Sequence, residues 1–390
     1  METYLKQLID ENTHSFYVFD TQILKERIAY LKKSLPDAVD LCYAVKANPF
    51  LSAEIVSDVE RFEICSPGEG MICRKMGIPG EKMVISGVYK TPAFIENLVA
   101  DPEFHGIFTV ESDTQYRLLA ELAGKYRRTL PVLIRITNDS QFGVNEEEVK
   151  EYVKNREKIS QLRILGIQYF SGTQKTSVKK LHREIEFLDG FLTELQTEYG
   201  FIADELEYGP GFPASYFQEE EFDEVTYLCE FSKMLSEMKN RVKVTLELGR
   251  SISYTCGNFY TFIVDKKQNH GLNYLLVDAG MHQLVYHGQF MGMKKPFVHV
   301  VGKSSEAADR LFQVCGSLCS MNDIIVKQMP LPECEIGDVL CFGNTGAYSV
   351  TEGIALFLSR DLPAVYIKRE NESPVLVRKP LETMEWNKPM

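Results

Sequence analysis

Three short segments bring together residue types that can do chemistry as a set. Lys46 ends an apolar run, Tyr43-Ala-Val-Lys46-Ala-Asn48; Gly209-Pro210-Gly211-Phe212 forms a glycine turn after another; Glu247-Leu-Gly-Arg250 closes a third. An amine at the end of an apolar strand is costly unless it is paired or used, and as a nucleophile it attacks a carbonyl. A glycine turn offers backbone N–H groups to an anion, and an arginine adds a fork of donors matched to phosphate. Taken singly, each has a plain reading: a lysine that snorkels out to a carboxylate, an ordinary turn, a surface charge. As a set they describe a site for a phosphate-bearing carbonyl compound with a carboxylate beside it.

The stretches that must position these residues alternate. Eight short β-rich runs, 39–46, 61–65, 82–86, 106–111, 130–136, 164–170, 205–208 and 243–248, are separated by amphipathic stretches such as 51–59, 92–98, 113–126 and 181–199. In the last, Leu181, Ile185, Leu188, Leu192 and Leu195 keep close to a helical period. Eight β/α alternations predict an α/β fold with a (β/α)8 TIM barrel. A doubly wound open sheet is the alternative, but it wants a glycine-rich turn after its first strand, where this chain has Ala47-Asn48-Pro49-Phe50. TIM barrels carry their sites at the carboxyl ends of the strands, often with phosphate held by the loops after strands seven and eight. Those loops here are the Gly209 turn and the Arg250 segment. Beyond about residue 252, the runs 259–264, 274–277, 297–301, 339–342 and 364–368 lack helix-length gaps and predict a C-terminal antiparallel β domain. The expected domains are a barrel over 21–252 and a β domain over 253–390, which an N-terminal strand within 1–20 joins.

A chain of 390 residues suits two domains, and 44% apolar with 25% charged residues is the composition of a soluble globular protein. A net charge of −12 excludes nucleic acid and anionic membrane surfaces as partners. No stretch approaches the roughly 18 apolar residues that span a bilayer, and the amino terminus lacks the basic and apolar pattern of a signal peptide. The expected location is cytoplasmic. The nine cysteines form no C-x-x-C pair and read as reduced thiols. Cys315 and Cys319 lack the second pair that would complete a metal site, so no metal is expected.

The chemical set suits pyridoxal 5'-phosphate, whose aldehyde takes a lysine Schiff base and whose ring nitrogen takes an acidic partner. From about Phe16 to Ile367 the chain resembles the fold type III (alanine-racemase-like) decarboxylases of ornithine, diaminopimelate and arginine. Tyr43-Ala-Val-Lys46-Ala-Asn is similar to the family's Schiff-base segment, and Gly209-Pro-Gly211-Phe to its phosphate loop. Glu247-Leu-Gly-Arg250 is similar to its Glu-Pro-Gly-Arg, and Gly346-Ala-Tyr348 to its phosphate-binding tyrosine. The resemblance implies that Lys46 forms the Schiff base, that decarboxylation passes through a quinonoid, and that Glu247 binds the ring nitrogen. It also implies that Gly209, Gly211, Arg250, Tyr348 and Thr173 hold phosphate. Cys319 falls on the cysteine that a neighbouring subunit inserts, which implies a homodimer with shared active sites and Cys319 as proton donor. Ser66 and Arg135 fall on pocket positions.

Four positions depart from the pattern. Gln168 replaces the ring-stacking histidine, Pro210 a glycine of the phosphate loop, Leu248 the proline of Glu-Pro-Gly-Arg, and Gln141 a lysine. They keep a catalytically inactive regulatory paralogue as an alternative, against which stand the retained Lys46, Glu247, Arg250, Cys319 and Tyr348. A racemase is disfavoured by Pro49-Phe50 after the lysine segment. The substrate end also departs. Ser320 stands where diamine-forming members have an acid, and Tyr286 where diaminopimelate enzymes have an arginine; Asp323 remains as the nearby acid, with His282 close in sequence to Tyr286. The combination resembles a divergent, butirosin-type branch acting on amino acids tethered to a carrier protein. The expected substrate is therefore an L-amino acid with a capped distal end, a carrier-protein thioester or a small acyl conjugate. Free diaminopimelate, ornithine or lysine is the alternative.

Overall fold

The eight β-rich runs close on themselves. In the computed structural model, which describes residues 3–304 and 308–389, a strand β1 (Phe16–Asp20) precedes a closed parallel barrel. The barrel runs through β2 (Val39–Ala44), β3 (Arg61–Ile64), β4 (Met83–Ile85), β5 (Ile107–Val110), β6 (Leu130–Ile136), β7 (Leu162–Phe170), β8 (Glu205–Gly209) and β9 (Lys243–Leu248). Closure is made by β9 against β2, from Val39↔Val244 to Tyr43↔Leu248. Helices follow the strands, as right-handed β/α crossovers require. The helix Val178–Tyr199 shows why they form. Ser177 accepts the Lys180 amide as N-cap, Gly200 stops the helix at φ +61, and Leu181, Ile185, Leu188, Leu192 and Leu195 are buried. Truncating one of these leucines to alanine costs about 2–5 kcal/mol.

The first barrel strand stops short of its expected end. Lys46 lies in a 3-10 turn, Val45–Ala47, rather than on the strand. Pro49 explains this: it has no N–H for a ladder and forces Asn48 to extended backbone, φ −167. The stretch expected as a helix over 51–59 is likewise a 3-10 segment, Pro49–Ile55, entered by the Asn48 side chain accepting from the Phe50 amide.

The second unit is built on β1, β10 (Gly257–Asn269), β11 (Leu272–Val277), β12 (Val298–Val300), β13 (Arg310–Cys315), β14 (Ile324–Leu331), β15 (Val339–Phe342), β16 (Ala364–Lys368) and β17 (Val375–Arg378). It is antiparallel-rich, as expected, and contains two parallel pairings: β1 runs parallel to β16, and β11 parallel to β13. The β1–β16 pairing, Phe16↔Ala364 to Asp20↔Lys368, is open to parallel strands because the whole barrel sequence intervenes between them.

The units do not divide at 252. One comprises Met1–Glu26, Ala214–Phe222 and Ser253–Met390; the other Arg27–Pro213 and Asp223–Ile252. The boundaries 21–252 and 253–390 are corrected by the segment 214–222, whose Gln218 amide donates to the Lys295 carbonyl at 2.9 Å and whose Tyr216 ring lies 5.7 Å from that of Tyr286. No helix among the described residues is long and apolar enough to cross a membrane.

Candidate active site

Glu63, Gln168 and Glu247, on β3, β7 and β9, are buried beside Lys46 of the turn after β2. Lys46 Nζ lies 2.7 Å from Glu63 Oε2, 3.5 Å from Glu247 Oε1 and 3.6 Å from Cys65 Sγ. Gln168 is fully buried; its Nε2 donates to Glu247 Oε2 at 2.8 Å, while its Oε1 finds no hydrogen-bond partner among the described residues. Burial and the neighbouring Glu63 charge push the Glu247 carboxyl up to about 7, against the pull of Lys46 and Arg135. Burial alone would raise Glu63 as well, but the Lys46 ammonium holds it below its usual range. Two adjacent carboxylates have thus been driven apart in proton affinity, an arrangement found where acid and base roles are divided.

Deeper in the barrel, Arg61 grips Glu205 with both guanidinium arms, and Thr245 donates to the same carboxylate at 2.7 Å. Glu207 is fully buried, with Arg61 Nη1 3.8 Å away and no hydrogen bond to either oxygen among the described residues. Desolvation, reinforced by Glu247 and Glu205, raises its carboxyl well above the usual carboxylate range. Arg135 is buried against Glu111 at 2.9 Å and under the Phe142 ring at 4.7 Å. Ser66 serves as N-cap of the helix Pro67–Lys75, accepting from the Glu69 amide.

The loops after β7 and β8 meet closely. A Cβ at Gly211, which has φ +64, would lie 1.9 Å from the Gly172 carbonyl oxygen; one at Gly209 would lie 2.3 Å from the Phe170 ring. Arg250, the residue two beyond β9, donates from Nε to Thr173 Oγ1 at 3.3 Å. The barrel therefore assembles Lys46, Gln168 and Glu247 in one cluster, and Thr173, Gly211 and Arg250 in another.

The β unit holds the remaining expected residues. Tyr348 has φ +66, a conformation that costs a bulky side chain about 1–3 kcal/mol and that concentrates at ligand clamps. Cys319 is exposed on the turn between β13 and β14, with Ser320 beside it. Asp323, expected at the substrate, has one carboxylate oxygen accepting from the Met281 amide at 2.7 Å and the other from Leu318 at 2.8 Å. A Cβ at Gly280 or Gly316 would collide with that carboxylate, so the two glycines leave room for it. Tyr286 is buried, with its hydroxyl donating to the Gly343 carbonyl at 2.6 Å. His282 is 2% exposed, and neither ring nitrogen has a partner among the described residues. Burial, aided by Arg360, lowers it to about 4 and keeps it uncharged at neutral pH.

Residues 21–254 match the family described as pyridoxal-dependent decarboxylase, pyridoxal binding domain. The chain belongs to that family. As a pyridoxal-phosphate-dependent decarboxylase it is similar to diaminopimelate decarboxylase of Aquifex aeolicus, 29% identical over 96% of this chain and 91% of the relative. It is also similar to the L-glutamyl-[BtrI acyl-carrier protein] decarboxylase of Niallia circulans, 23% identical over 93% of this chain and 91% of the relative. Among solved structures, diaminopimelate decarboxylase of Helicobacter pylori with L-lysine shares the fold at TM-score 0.85 and 23% identity, covering 98% of both chains.

The residues of this decarboxylase fit pyridoxal phosphate. An amine, a buried carboxylate and an amide oxygen with an open valence lie together, and a guanidinium and a hydroxyl meet at a glycine loop that admits no Cβ. Glu63 was missed from sequence. Its signal was an acid in mid-strand, in Arg61-Phe-Glu63-Ile64, which becomes telling only once a closed barrel leaves that side chain no exit.

Proposed function

We propose that this pyridoxal-phosphate decarboxylase removes the α-carboxylate of an L-amino acid whose distal end is capped, a carrier-protein thioester first and a small acyl conjugate second. The observation that carries the reading is the lack of an ionic partner for a free distal group at the expected positions. Ser320 and Tyr286 are uncharged, the Tyr286 hydroxyl is bonded to Gly343, and both Asp323 oxygens are taken by backbone amides. Burying an ammonium or carboxylate without a counter-ion costs several kcal/mol, about 10³-fold in affinity for free diamino acids. The similarity to a decarboxylase of a carrier-bound glutamyl group supports the same reading.

Bound pyridoxal phosphate supplies an electron sink for the pair left on Cα when carbon dioxide departs. The chain's own residues act around it. Lys46 must lose a proton to attack the aldehyde, and Glu63 Oε2, at 2.7 Å, is placed to accept it. Glu247 would bind the ring nitrogen, oriented by the Gln168 amide, whose Nε2 donates to Glu247 Oε2 at 2.8 Å. Thr173, Gly209, Gly211 and Arg250 of the barrel unit would hold the phosphate, and Tyr348 of the β unit is a further candidate. Cys319, contributed by the second subunit of a homodimer, returns a proton to Cα. The nine free thiols support a reducing, cytoplasmic setting.

The second reading is diaminopimelate decarboxylation, favoured by the Aquifex relative. Carbon dioxide release from γ-glutamyl thioester and N-acyl diamino acids, in competition with free lysine, ornithine and diaminopimelate, separates the two. Turnover of the capped compounds is expected. Efficient turnover of the free amino acids with none of the capped ones would overturn the proposal.

A further inference from the structure

Another charge pair lies buried in the barrel unit, outside the residues named above. Lys175 Nζ donates to Glu184 Oε2 at 2.7 Å and to Ser171 Oγ at 2.7 Å. Ser171 donates in turn to Glu184 Oε1, and Tyr208 Oη to Oε2. Such a pair is weak as a stabilising device, because an apolar pair of similar volume does as well or better. Its place in the chain suggests another use. Lys175 ends the turn that starts at Ser171 and contains Thr173, the residue that accepts from Arg250. Gly172 and Gln174 flank Thr173 at φ +124 and +55, so the turn departs from ordinary backbone on both sides of that hydroxyl. The Lys175 amide donates to the Gly211 carbonyl at 2.9 Å, and its carbonyl accepts from Tyr227 Oη at 2.7 Å.

We infer that the Lys175–Glu184 pair, with Ser171, is a clamp that positions Thr173 and Gly211 for an anionic phosphate ester. Lys175 is a positioning residue: its ammonium is bonded to Glu184 and Ser171, and it acts through the turn it closes. The clamp has its ends on the turn after β7 and on the helix Val178–Tyr199, so it ties the mobile kind of element to the rigid kind. The inference rests on the cofactor site proposed above and predicts something separate from it. Loosening the clamp should weaken the phosphate part of cofactor affinity and spare the ring part.

The test is titration of the apoprotein with pyridoxal phosphate and with pyridoxal, followed by absorbance and intrinsic fluorescence, on three proteins. These are the unaltered chain, the charge-neutral pair Lys175→Gln with Glu184→Gln, and Ser171→Ala, which removes one arm of the network and leaves the ion pair should the double variant fail to fold. Both variants are expected to bind pyridoxal as the unaltered chain does and pyridoxal phosphate about tenfold or more weaker, since small misplacements of positioning groups have effects of that size. Equal losses for both ligands would make the pair merely structural, and no loss for either would make it irrelevant; each result overturns the inference. An unaltered chain with no preference for the phosphorylated ligand would instead overturn the phosphate site itself.

Discussion

In the barrel unit, Gln168 Oε1 and both oxygens of Glu207 are buried without hydrogen-bond partners among the described residues, and Glu247 sits at about 7. In the β unit, Asp323 and Tyr286 are equally buried, yet each carboxylate oxygen and the hydroxyl is matched to a backbone group. An unmatched buried polar group costs about 1–3 kcal/mol, so a fold carries several together only where they do something. The contrast sets the barrel cluster, as the reactive one, against Asp323 and Tyr286, which have a shaping task, while His282 of the β unit is itself buried with neither ring nitrogen bonded among the described residues. The acid nearest Cys319 in sequence holds its own loop together.

The largest expected effect comes from the barrel. Lys46→Ala should lower turnover by about 10³-fold or more while leaving the fold intact by circular dichroism, since it removes both the nucleophile and a positioned base. An active Lys46→Ala protein would break the assignment of chemistry to this unit. Mixing inactive Lys46→Ala with inactive Cys319→Ala protein sharpens the β unit's part. If Cys319 serves a neighbouring subunit, random exchange leaves one intact site in about half of the dimers, and activity returns. No recovery after verified exchange would place the whole site in one chain.

Smaller effects follow within the β unit. Asp323→Ala orphans the buried Leu318 amide and the part-buried Met281 amide and should destabilise by about 2–4 kcal/mol, whereas Tyr286→Phe removes one hydrogen bond and should cost about 1 kcal/mol. Urea unfolding monitors both; an Asp323→Ala protein as stable as its parent would contradict the shaping task. The finest test uses pH. Glu247 is an acid raised from about 4.5 to about 7, so its contribution to stability is full below pH 4.5 and is lost as pH rises to 7. His282 is a base lowered from 6.5 to about 4, so its contribution is full above 6.5 and is lost as pH falls toward 4. Glu247→Gln should flatten the alkaline-side loss and His282→Gln the acid-side loss, measured by denaturation between pH 4 and 7.5. Slopes of the same sign in both variants would contradict these environments.

The fold was legible because its signals are local. Eight runs of strand length, with helices such as Val178–Tyr199 between them, announce a barrel through periodicity alone. Lys46, Glu247 and Arg250 were legible as types at strand ends. What escaped depends on closure or on backbone partners. Glu63 is an unremarked acid until β3 curves its side chain inward beside Lys46. Lys175 and Glu184 are ordinary surface residues in sequence, and meet only through the turn after β7. The backbone partners of Asp323, the amides of Met281 and Leu318, carry no side-chain signal in the sequence. The parallel pairing of β1 with β16 joins residues some 348 apart, Phe16 and Ala364, and no periodicity reports such a neighbour.

One measurement bears most directly on the central claim, that the barrel's chemistry runs through Lys46. The protein is loaded with pyridoxal phosphate, reduced with borohydride, digested and mapped by mass spectrometry. The account predicts loss of the visible absorbance band and a phosphopyridoxyl group on the peptide containing Lys46, with none in the Lys46→Ala protein. Stable labelling at another lysine, or a bound cofactor that borohydride fixes nowhere on the chain, would contradict it.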